Sequence, residues 1–211
     1  MKLVVGVDEV GYGSIAGPLV VSAVAFRSDT RKPILKRAKR KDMPLKDSKL
    51  ISHKLLPLFK ELIVGCCEEF VVQACPPSRI DKEGVSAVRR DAIVVAVTRL
   101  FQRIAFEAFN PDTDGYRVVV DGDLNLGDVA FKYKAQPKAD RDVWQVSAAS
   151  VMAKVAQIEA MHALVEKNAR YRHYGWDRNH GYGTAEHIEA IQEYGVTQHH
   201  RRSYRTVKEL L

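Results

Sequence analysis

The sequence has little cysteine and no long hydrophobic stretch. Its three cysteines, Cys66, Cys67 and Cys75, are odd in number and form no C-x-x-C pair, which argues against a disulfide framework and against a zinc site. No apolar run approaches the roughly 18 residues that a membrane-spanning helix requires. The segment "MKLVVGVDEV" carries acid where a signal peptide would continue its apolar core. These absences predict a soluble, unexported, cytoplasmic protein with no membrane partner.

Acidic residues are scarce in one segment. Residues 27–60 contain 12 of the 33 Lys and Arg residues but only 3 of the 26 Asp and Glu residues, so this segment accounts for the whole net charge of +7. A basic stretch on a near-neutral body favours a polyanionic partner such as nucleic acid. The alternative interpretation is a solvated basic loop that binds nothing.

The pattern of apolar residues predicts an α/β domain. "KLVVGVD", "GPLVVSAVAF" and "YRVVVDGD" read as strands, and apolar positions at helical spacing predict a long helix over residues 84–109. A second long helix is expected from Asp140 to about Ala169. Strands that come first and then alternate with helices indicate a mixed sheet. Neither an internal repeat nor a low-complexity tract divides the chain.

Four acids fall where carboxylates can act together. Asp8 and Glu9 end the first predicted strand, Asp121 ends the "RVVV" strand, and Asp140 precedes the second long helix. Strand ends meet at one edge of an α/β sheet, where ligands usually bind. Clustered carboxylates repel each other unless cations lie between them, and Mg²⁺ or Mn²⁺ suits an all-oxygen donor set. Taken alone, however, these acids could simply terminate strands.

The glycines after the acid pair suggest a local change of direction. In a regular strand Asp8 and Glu9 would point to opposite faces of the sheet. For both to serve one site, we expect the backbone to turn sharply there. Gly11, Gly13 and Gly17 would allow such a turn and would let a ligand approach the main chain.

Five segments, in order along residues 4 to about 208, resemble the motifs of the type 2 ribonucleases H, the ribonuclease HII family. They are "VDEVGYGSIAGPLV", "LKDSKLIS", "VVVDGD", "KADRDVWQVSAASVMAKV" and "HGYGTAEHIEAIQEYGVTQHHRRSY". The resemblance implies a ribonuclease-H-like fold, with a mixed five-stranded sheet flanked by helices and a small helical C-terminal part. It divides the chain into a catalytic core, residues 1–170, and a substrate-binding helical extension of the same domain, residues 171–211.

The resemblance also implies the activity. Members of the family hydrolyse the RNA strand of RNA/DNA hybrids and nick duplex DNA on the 5′ side of embedded ribonucleotides, leaving 5′-phosphate and 3′-hydroxyl ends. Two divalent ions, Mg²⁺ or Mn²⁺, would clamp the scissile phosphate, with no covalent nucleophile from the protein. The expected partners are therefore an RNA/DNA hybrid and duplex DNA that contains ribonucleotides, bound by a monomer.

Matching the motifs position by position assigns roles to individual residues. The catalytic, metal-binding carboxylates are Asp8, Glu9, Asp121 and Asp140. The candidate substrate-binding residues are Gly11, Tyr12, Gly13, Lys49, Lys154, Tyr182, Arg201 and Arg202. Within this set, the lysines match positions near phosphate, and Tyr182 matches a tyrosine that stacks on the sugar 3′ to the cleavage point. Outside the motif context, each of these lysines would be ordinary surface and "GYG" a simple turn. His180, His199 and His200 show no zinc spacing and are interpreted as loop or packing residues.

One position departs from the family pattern. The family has Arg, or sometimes Lys, between the two glycines of its first motif, and this chain has Tyr12. The change removes a cation that would grip a phosphate, which puts cleavage at single embedded ribonucleotides in question. A catalytically impaired protein of the same fold that binds RNA/DNA hybrids is therefore the alternative. A P-loop enzyme is disfavoured because the glycine loop lacks GK[ST]. Another nuclease of this fold would share the acids but not "SAASVMAKV" and "HHRRSY".

Overall fold

The structure, a computed structural model, describes residues 3–28, 51–105 and 115–211. Lys49, most of the basic segment 27–60 and the predicted end of the first long helix lie outside the described residues.

The described residues form a mixed five-stranded sheet, as the sequence predicts. The strand order is β3-β2-β1-β4-β5, with β1 antiparallel to β2, β2 antiparallel to β3, and both β1–β4 and β4–β5 parallel. The strands are β1 (Leu3–Val10), β2 (Leu19–Arg27), β3 (Glu69–Cys75), β4 (Tyr116–Asp121) and β5 (Tyr133–Gln136). The parallel pairing of β1 with β4 brings Asp8 and Asp121 to the same edge, because Val7 lies opposite Val120.

Helices cover both faces of this sheet and form the C-terminal part. They are α1 (Leu56–Val64), α2 (Pro77–Glu83), α3 (Val85–Ala105), α4 (Ala139–Asp142), α5 (Trp144–Lys167), α6 (Trp176–Asn179), α7 (Ala185–Tyr194) and α8 (Arg205–Lys208), with 3-10 turns at His53–Leu55 and Ala169–Tyr174. None of the helices in the described parts of the chain combines the length and apolar character that crossing a membrane demands.

Two hydrophobic cores lie on opposite faces of the sheet, and residues of the central strands contribute to both. Val5 and Val7 of β1 pack with α3 in one core, whereas α1 and α5 pack on the other face against Val24 and Phe26 of β2. The helix α5 crosses β1 so closely that a Cβ on Gly6 would lie 2.1 Å from the carbonyl carbon of Gln145. Glycine is therefore required at position 6 for the helix to approach the strand.

One expectation about the helices needs correction. The helix expected from Asp140 to Ala169 is two helices, because Val143 adopts an extended conformation (φ −115°, ψ 102°) between α4 and α5. The "PPSRID" segment begins α2. Its Pro77 occupies the first helical turn, where the missing N–H of proline costs no hydrogen bond.

The C-terminal helices pack around a core of their own. Trp176 is fully buried there, and the cluster also includes Met161 of α5 and two residues of the glycine loop (residues 11–17), Ile15 and Ala16. The helix α7 begins at Thr184, whose hydroxyl accepts a hydrogen bond from the backbone N–H of His187. This packing joins the C-terminal part to the loop that follows the acid pair.

Candidate active site

The acid pair lies within a regular strand. β1 continues through Asp8 and Glu9 to Val10, and its ladder pairs Asp8 with Ser22 and Glu9 with Val21. The expected sharp turn between the two acids is therefore wrong, because the antiparallel pairing with β2 holds this backbone extended. By strand alternation, Asp8 lies on the face covered by α5 and Glu9 on the face covered by α3.

Asp8 lies in a buried, acidic environment beside α5. Its side chain accepts hydrogen bonds from Ser150 of α5 and, at 2.8 Å, from the backbone N–H of Glu9. Burial, reinforced by the nearby charges of Glu9 and Asp121, raises the pKa of Asp8 to about 8. Without a cation, the carboxylate form of Asp8 is thus disfavoured at this edge of the sheet.

Asp140 lies on the same face of the sheet as Asp8. It is almost fully buried in α4, a helix that contacts β4 and α5. The preceding residue, Ala139, packs against Val119 of β4 and Val146 of α5. Since Val119 and Asp121 are two residues apart on β4, their side chains share this face.

Glu9 has a different partner, one that the sequence analysis missed. Arg89 of α3 places its Nε 3.0 Å from Glu9 Oε1, and its Nη2 donates a hydrogen bond to the backbone carbonyl of Asp121 at 3.0 Å. Burial raises the pKa of Glu9, and the positive charge of Arg89 opposes that rise. No motif marks Arg89, because its contact with Glu9 depends on how α3 packs against the sheet.

The donor chemistry of this edge suits a hard divalent cation. All four candidate ligands are carboxylates, and the buried atoms Glu9 Oε2 and Asp121 Oδ1 have no hydrogen-bond partner among the described residues. Across residues 3–28, 51–105 and 115–211, however, no group of three or more His, Cys, Asp or Glu side chains is arranged to hold a metal ion. The acids repel one another, and Glu9 lies on the opposite face, paired with Arg89. The residues therefore supply the oxygen donors that a divalent cation requires, but their side chains are not grouped around a single position.

The glycine loop begins directly after β1. Gly11 has φ +84°, and a Cβ there would lie 2.9 Å from the carbonyl oxygen of Pro18, so only glycine fits. A Cβ on Gly13 would meet no atom within 4 Å among the described residues, so the backbone borders open space there. Between them Tyr12 is 41% exposed, and its hydroxyl lies 2.9 Å from Ser86 Oγ at the start of α3.

Arg201 and Arg202, predicted together as substrate-binding residues, have different environments. Arg201 is fully buried and holds the glycine loop, because its guanidinium donates to the carbonyl oxygens of Gly11 (2.6 Å) and Gly17 (3.0 Å). Arg202 is exposed, and its backbone N–H donates to Asp81 of α2. The structure thus gives Arg201 a role in positioning the loop, whereas the side chain of Arg202 faces solvent.

Tyr182 lies beside the same loop. It is 42% exposed, and the carbonyl oxygen of the preceding Gly181 accepts hydrogen bonds from the N–H groups of Ile15 (2.9 Å) and Ala16 (3.1 Å). Lys154 lies on α5 and is partly exposed. The structure therefore brings the Tyr182 segment against the glycine loop, while Lys49 lies outside the described residues.

Two buried histidines fix the carbonyl of Tyr182. The N–H of Thr197 donates to His200 Nδ1, so the ring proton of His200 is on Nε2, which lies 3.1 Å from His187 Nε2. Trp176 Nε1 also donates to His187 Nε2, and His187 Nδ1 donates to the Tyr182 carbonyl at 2.8 Å. Burial lowers the pKa of both histidines, that of His200 to about 3. This network requires neutral rings.

The fold is shared with solved ribonucleases. The chain is similar to the ribonuclease H2 of Pyrococcus horikoshii OT3, with a TM-score of 0.76 and 22% identity over 99% of this chain and 96% of that chain. It is also similar to Bst-RNase HIII, solved in complex with Mn²⁺, with a TM-score of 0.72 and 20% identity over 99% of this chain and 69% of that chain. These likenesses define the class: a ribonuclease-H-like fold, as the motifs predict.

Sequence comparison narrows this class to one family. Residues 5–207 match the family model of Ribonuclease HII. The ribonuclease HII of Ralstonia nicotianae is 34% identical over 210 residues, which cover 100% of this chain and 80% of that relative. The chain therefore belongs to the ribonuclease HII family of divalent-metal-dependent endoribonucleases that act on RNA/DNA hybrids.

Proposed function

We propose that the protein hydrolyses the RNA strand of RNA/DNA hybrids by a two-metal-ion mechanism at the edge of the sheet where β1 and β4 end. The observation that carries the proposal is the proximity of acids at that edge: the charges of Glu9 and Asp121 both act on the buried Asp8, and burial disfavours ionisation of Asp8 unless a cation is present. Bst-RNase HIII, which shares this fold, binds Mn²⁺, and that supports the choice of a divalent ion of this type.

The chain's own residues would hold the cations and the substrate. Asp8, Glu9, Asp121 and Asp140 would supply the oxygen ligands. When bound, two divalent ions would activate water and stabilise the departing 3′ oxygen, which leaves 5′-phosphate and 3′-hydroxyl ends. The open space at Gly13 supports close approach of a sugar to the loop backbone, where a 2′-hydroxyl distinguishes RNA from DNA.

The C-terminal part would form the second side of the substrate groove. The exposed ring of Tyr182 supports stacking on a sugar. Lys154 and the exposed side chain of Arg202 would contact phosphates, and the basic segment 27–60 would add charge attraction to the nucleic acid backbone. We also propose that residues 171–211 are the substrate-binding extension of the single domain and that the protein acts as a monomer.

The test compares wild type with Asp121→Asn on a labelled RNA/DNA hybrid in the presence of Mg²⁺ or Mn²⁺. Asp123→Asn is the matched control, because Asp123 is a nearby acid that matches none of the family's four metal-binding carboxylates. We expect Asp121→Asn to lose orders of magnitude in rate while it stays folded, and Asp123→Asn to retain activity. Full wild-type activity in excess EDTA would refute the mechanism. A folded wild type that binds the hybrid but cannot cleave it would instead support the impaired hybrid-binding alternative.

We further propose that duplex DNA with a single embedded ribonucleotide is cleaved more weakly than a hybrid. Tyr12 supplies no cation to a phosphate, and a charge-assisted hydrogen bond of that kind is worth about 1.5–3 kcal/mol. One sugar provides all the discrimination in such a duplex, whereas a hybrid offers many 2′-hydroxyls. Cleavage of both substrates by wild type, with plain duplex DNA as a negative control, tests this order. If wild type cleaves the duplex with a single ribonucleotide much faster than the hybrid, this proposal is wrong.

A further inference from the structure

Arg89 lies where the acid edge of the sheet meets the glycine loop. Its guanidinium contacts the Glu9 carboxylate and the Asp121 carbonyl oxygen, each at 3.0 Å, and its central carbon is 5.8 Å from the ring centroid of Tyr12. The side chain is only 15% exposed. A permanent positive charge is therefore held within the group of residues proposed to bind divalent cations.

We propose that Arg89 competes with a divalent cation for Glu9, so that this arginine sets the affinity of the site for its metal. The inference rests on the proposed function, since it requires Glu9 to be a metal ligand. In the metal-free protein the guanidinium neutralises Glu9, and cation binding must break that ion pair. Arg89 is on this account a positioning residue, which acts on the metal through Glu9.

The geometry of the ion pair supports displacement. Glu9 Oε2 is buried without a hydrogen-bond partner among the described residues, so Arg89 satisfies only one of the two carboxylate oxygens. A cation that binds both carboxylate oxygens of Glu9 would therefore be the better partner.

The backbone beside Arg89 is shaped for its guanidinium. Gly122 has φ +94°, and a Cβ there would lie 2.7 Å from Arg89 Nη2. The hydrogen bond from Nη2 to the Asp121 carbonyl does not involve Glu9. Arg89 can thus keep this second contact when the cation takes Glu9, and the arginine need not leave the site.

The experiment measures Mn²⁺ binding to metal-free protein by calorimetry, with no substrate and no turnover. Arg89→Gln removes the charge, so we expect the dissociation constant for Mn²⁺ to fall about tenfold. Arg89→Lys keeps the charge and should remain nearer to wild type. Arg90→Gln is the matched control, because it removes the same charge from the next position of α3 and should change the dissociation constant less than about twofold. Arg89→Met serves as a second neutral variant if Arg89→Gln does not fold.

A double-mutant comparison separates competition from a structural effect. With Glu9→Gln already in place, Arg89→Gln should no longer tighten Mn²⁺ binding, because the contested carboxylate is gone. Weaker Mn²⁺ binding by Asp121→Asn than by wild type would show that the metal binds at this site. If Arg89→Gln and Arg89→Met then bind Mn²⁺ no more tightly than wild type, the inference about Arg89 is wrong while the metal site stands. If wild type itself binds no Mn²⁺, the inference and the two-metal mechanism fail together.

Discussion

Replacing Arg201 should destabilise the protein strongly, although a neighbouring arginine can be replaced at little cost. The buried guanidinium of Arg201 donates to the carbonyl oxygens of Gly11, Tyr12 and Gly17 and to the hydroxyl of Tyr204. Arg201→Met fills a similar volume but leaves these buried acceptors without their donor. The contacts with Gly17 and Gly11 span 184 and 190 positions along the chain, so their loss would loosen the glycine loop from the C-terminal part.

The magnitude follows from the cost of breaking a buried charged network from one side, which is about 3–5 kcal/mol. Burial lowers the pKa of Arg201, so part of that cost is offset because an unfavourable buried charge is removed as well. For a chain of this size, a change of 1 kcal/mol moves the melting temperature by roughly 2–4 °C. We therefore expect Arg201→Met to lower the melting temperature by roughly 6–20 °C.

The assay is urea unfolding followed by tryptophan fluorescence, since Trp176 is fully buried beside this region. Arg202→Met is the matched control. It removes the same charge from an exposed side chain, so its free energy of unfolding should lie within about 0.5 kcal/mol of wild type. An Arg201→Met protein less than about 1 kcal/mol below wild type would show that the reasoning about the buried network is wrong.

Three further outcomes are expected. Gly181→Ala should lower the free energy of unfolding by more than about 2 kcal/mol, since φ is +87° and the added Cβ would lie 2.3 Å from the Ala16 carbonyl oxygen; a near-neutral urea midpoint would contradict this. Burial lowers the pKa of both His187 and His200, so below about pH 6.5 the unfolded state binds protons that the folded state does not bind. For His200, the loss of stability should reach about 1.4 kcal/mol per pH unit as pH falls from 6.5 toward 3. His200→Gln should make the loss of stability between pH 7.5 and pH 5 smaller in urea titrations, and an unchanged loss would exclude this role. Tyr12→Arg should raise the rate of cleavage at a single embedded ribonucleotide about ten- to a hundredfold and the rate of hybrid cleavage much less. If neither rate changes, Tyr12 does not limit cleavage.

Local patterns in the sequence were sufficient to predict a mixed sheet, α3 and the location of Asp8, Glu9 and Asp121 at strand ends. The Val-rich runs around Val5 and Val119 correspond to β1 and β4, and the helical spacing of apolar residues after Gly84 corresponds to α3. The order of the motifs along the chain also predicts membership of the ribonuclease HII family. Local patterns could not predict the break at Val143, because it depends on how α4 and α5 pack on the sheet rather than on any helix-breaking residue.

The environments of individual side chains were less predictable from the sequence than the helices and strands. Arg201 and Arg202 are identical neighbours in the sequence, yet one is buried under the glycine loop and the other is exposed. Nothing in the sequence distinguishes Arg89 from Arg90 either, although one helix-to-strand contact brings the first to Glu9. Such contacts join residues 80 to 190 positions apart, so they depend on tertiary packing that periodicity does not encode.

The regular strand at Asp8 and Glu9 determines which helix each acid contacts. Alternation along β1 places Asp8 with Asp121 on the α5 face and Glu9 on the α3 face, at the same edge of one sheet. An acid on each face lets two different helices control the two carboxylates, with Ser150 of α5 at Asp8 and Arg89 of α3 at Glu9. The regular strand therefore separates the two acids onto opposite faces of the sheet. On the proposal made above, Arg89 is the residue that a cation must displace from Glu9.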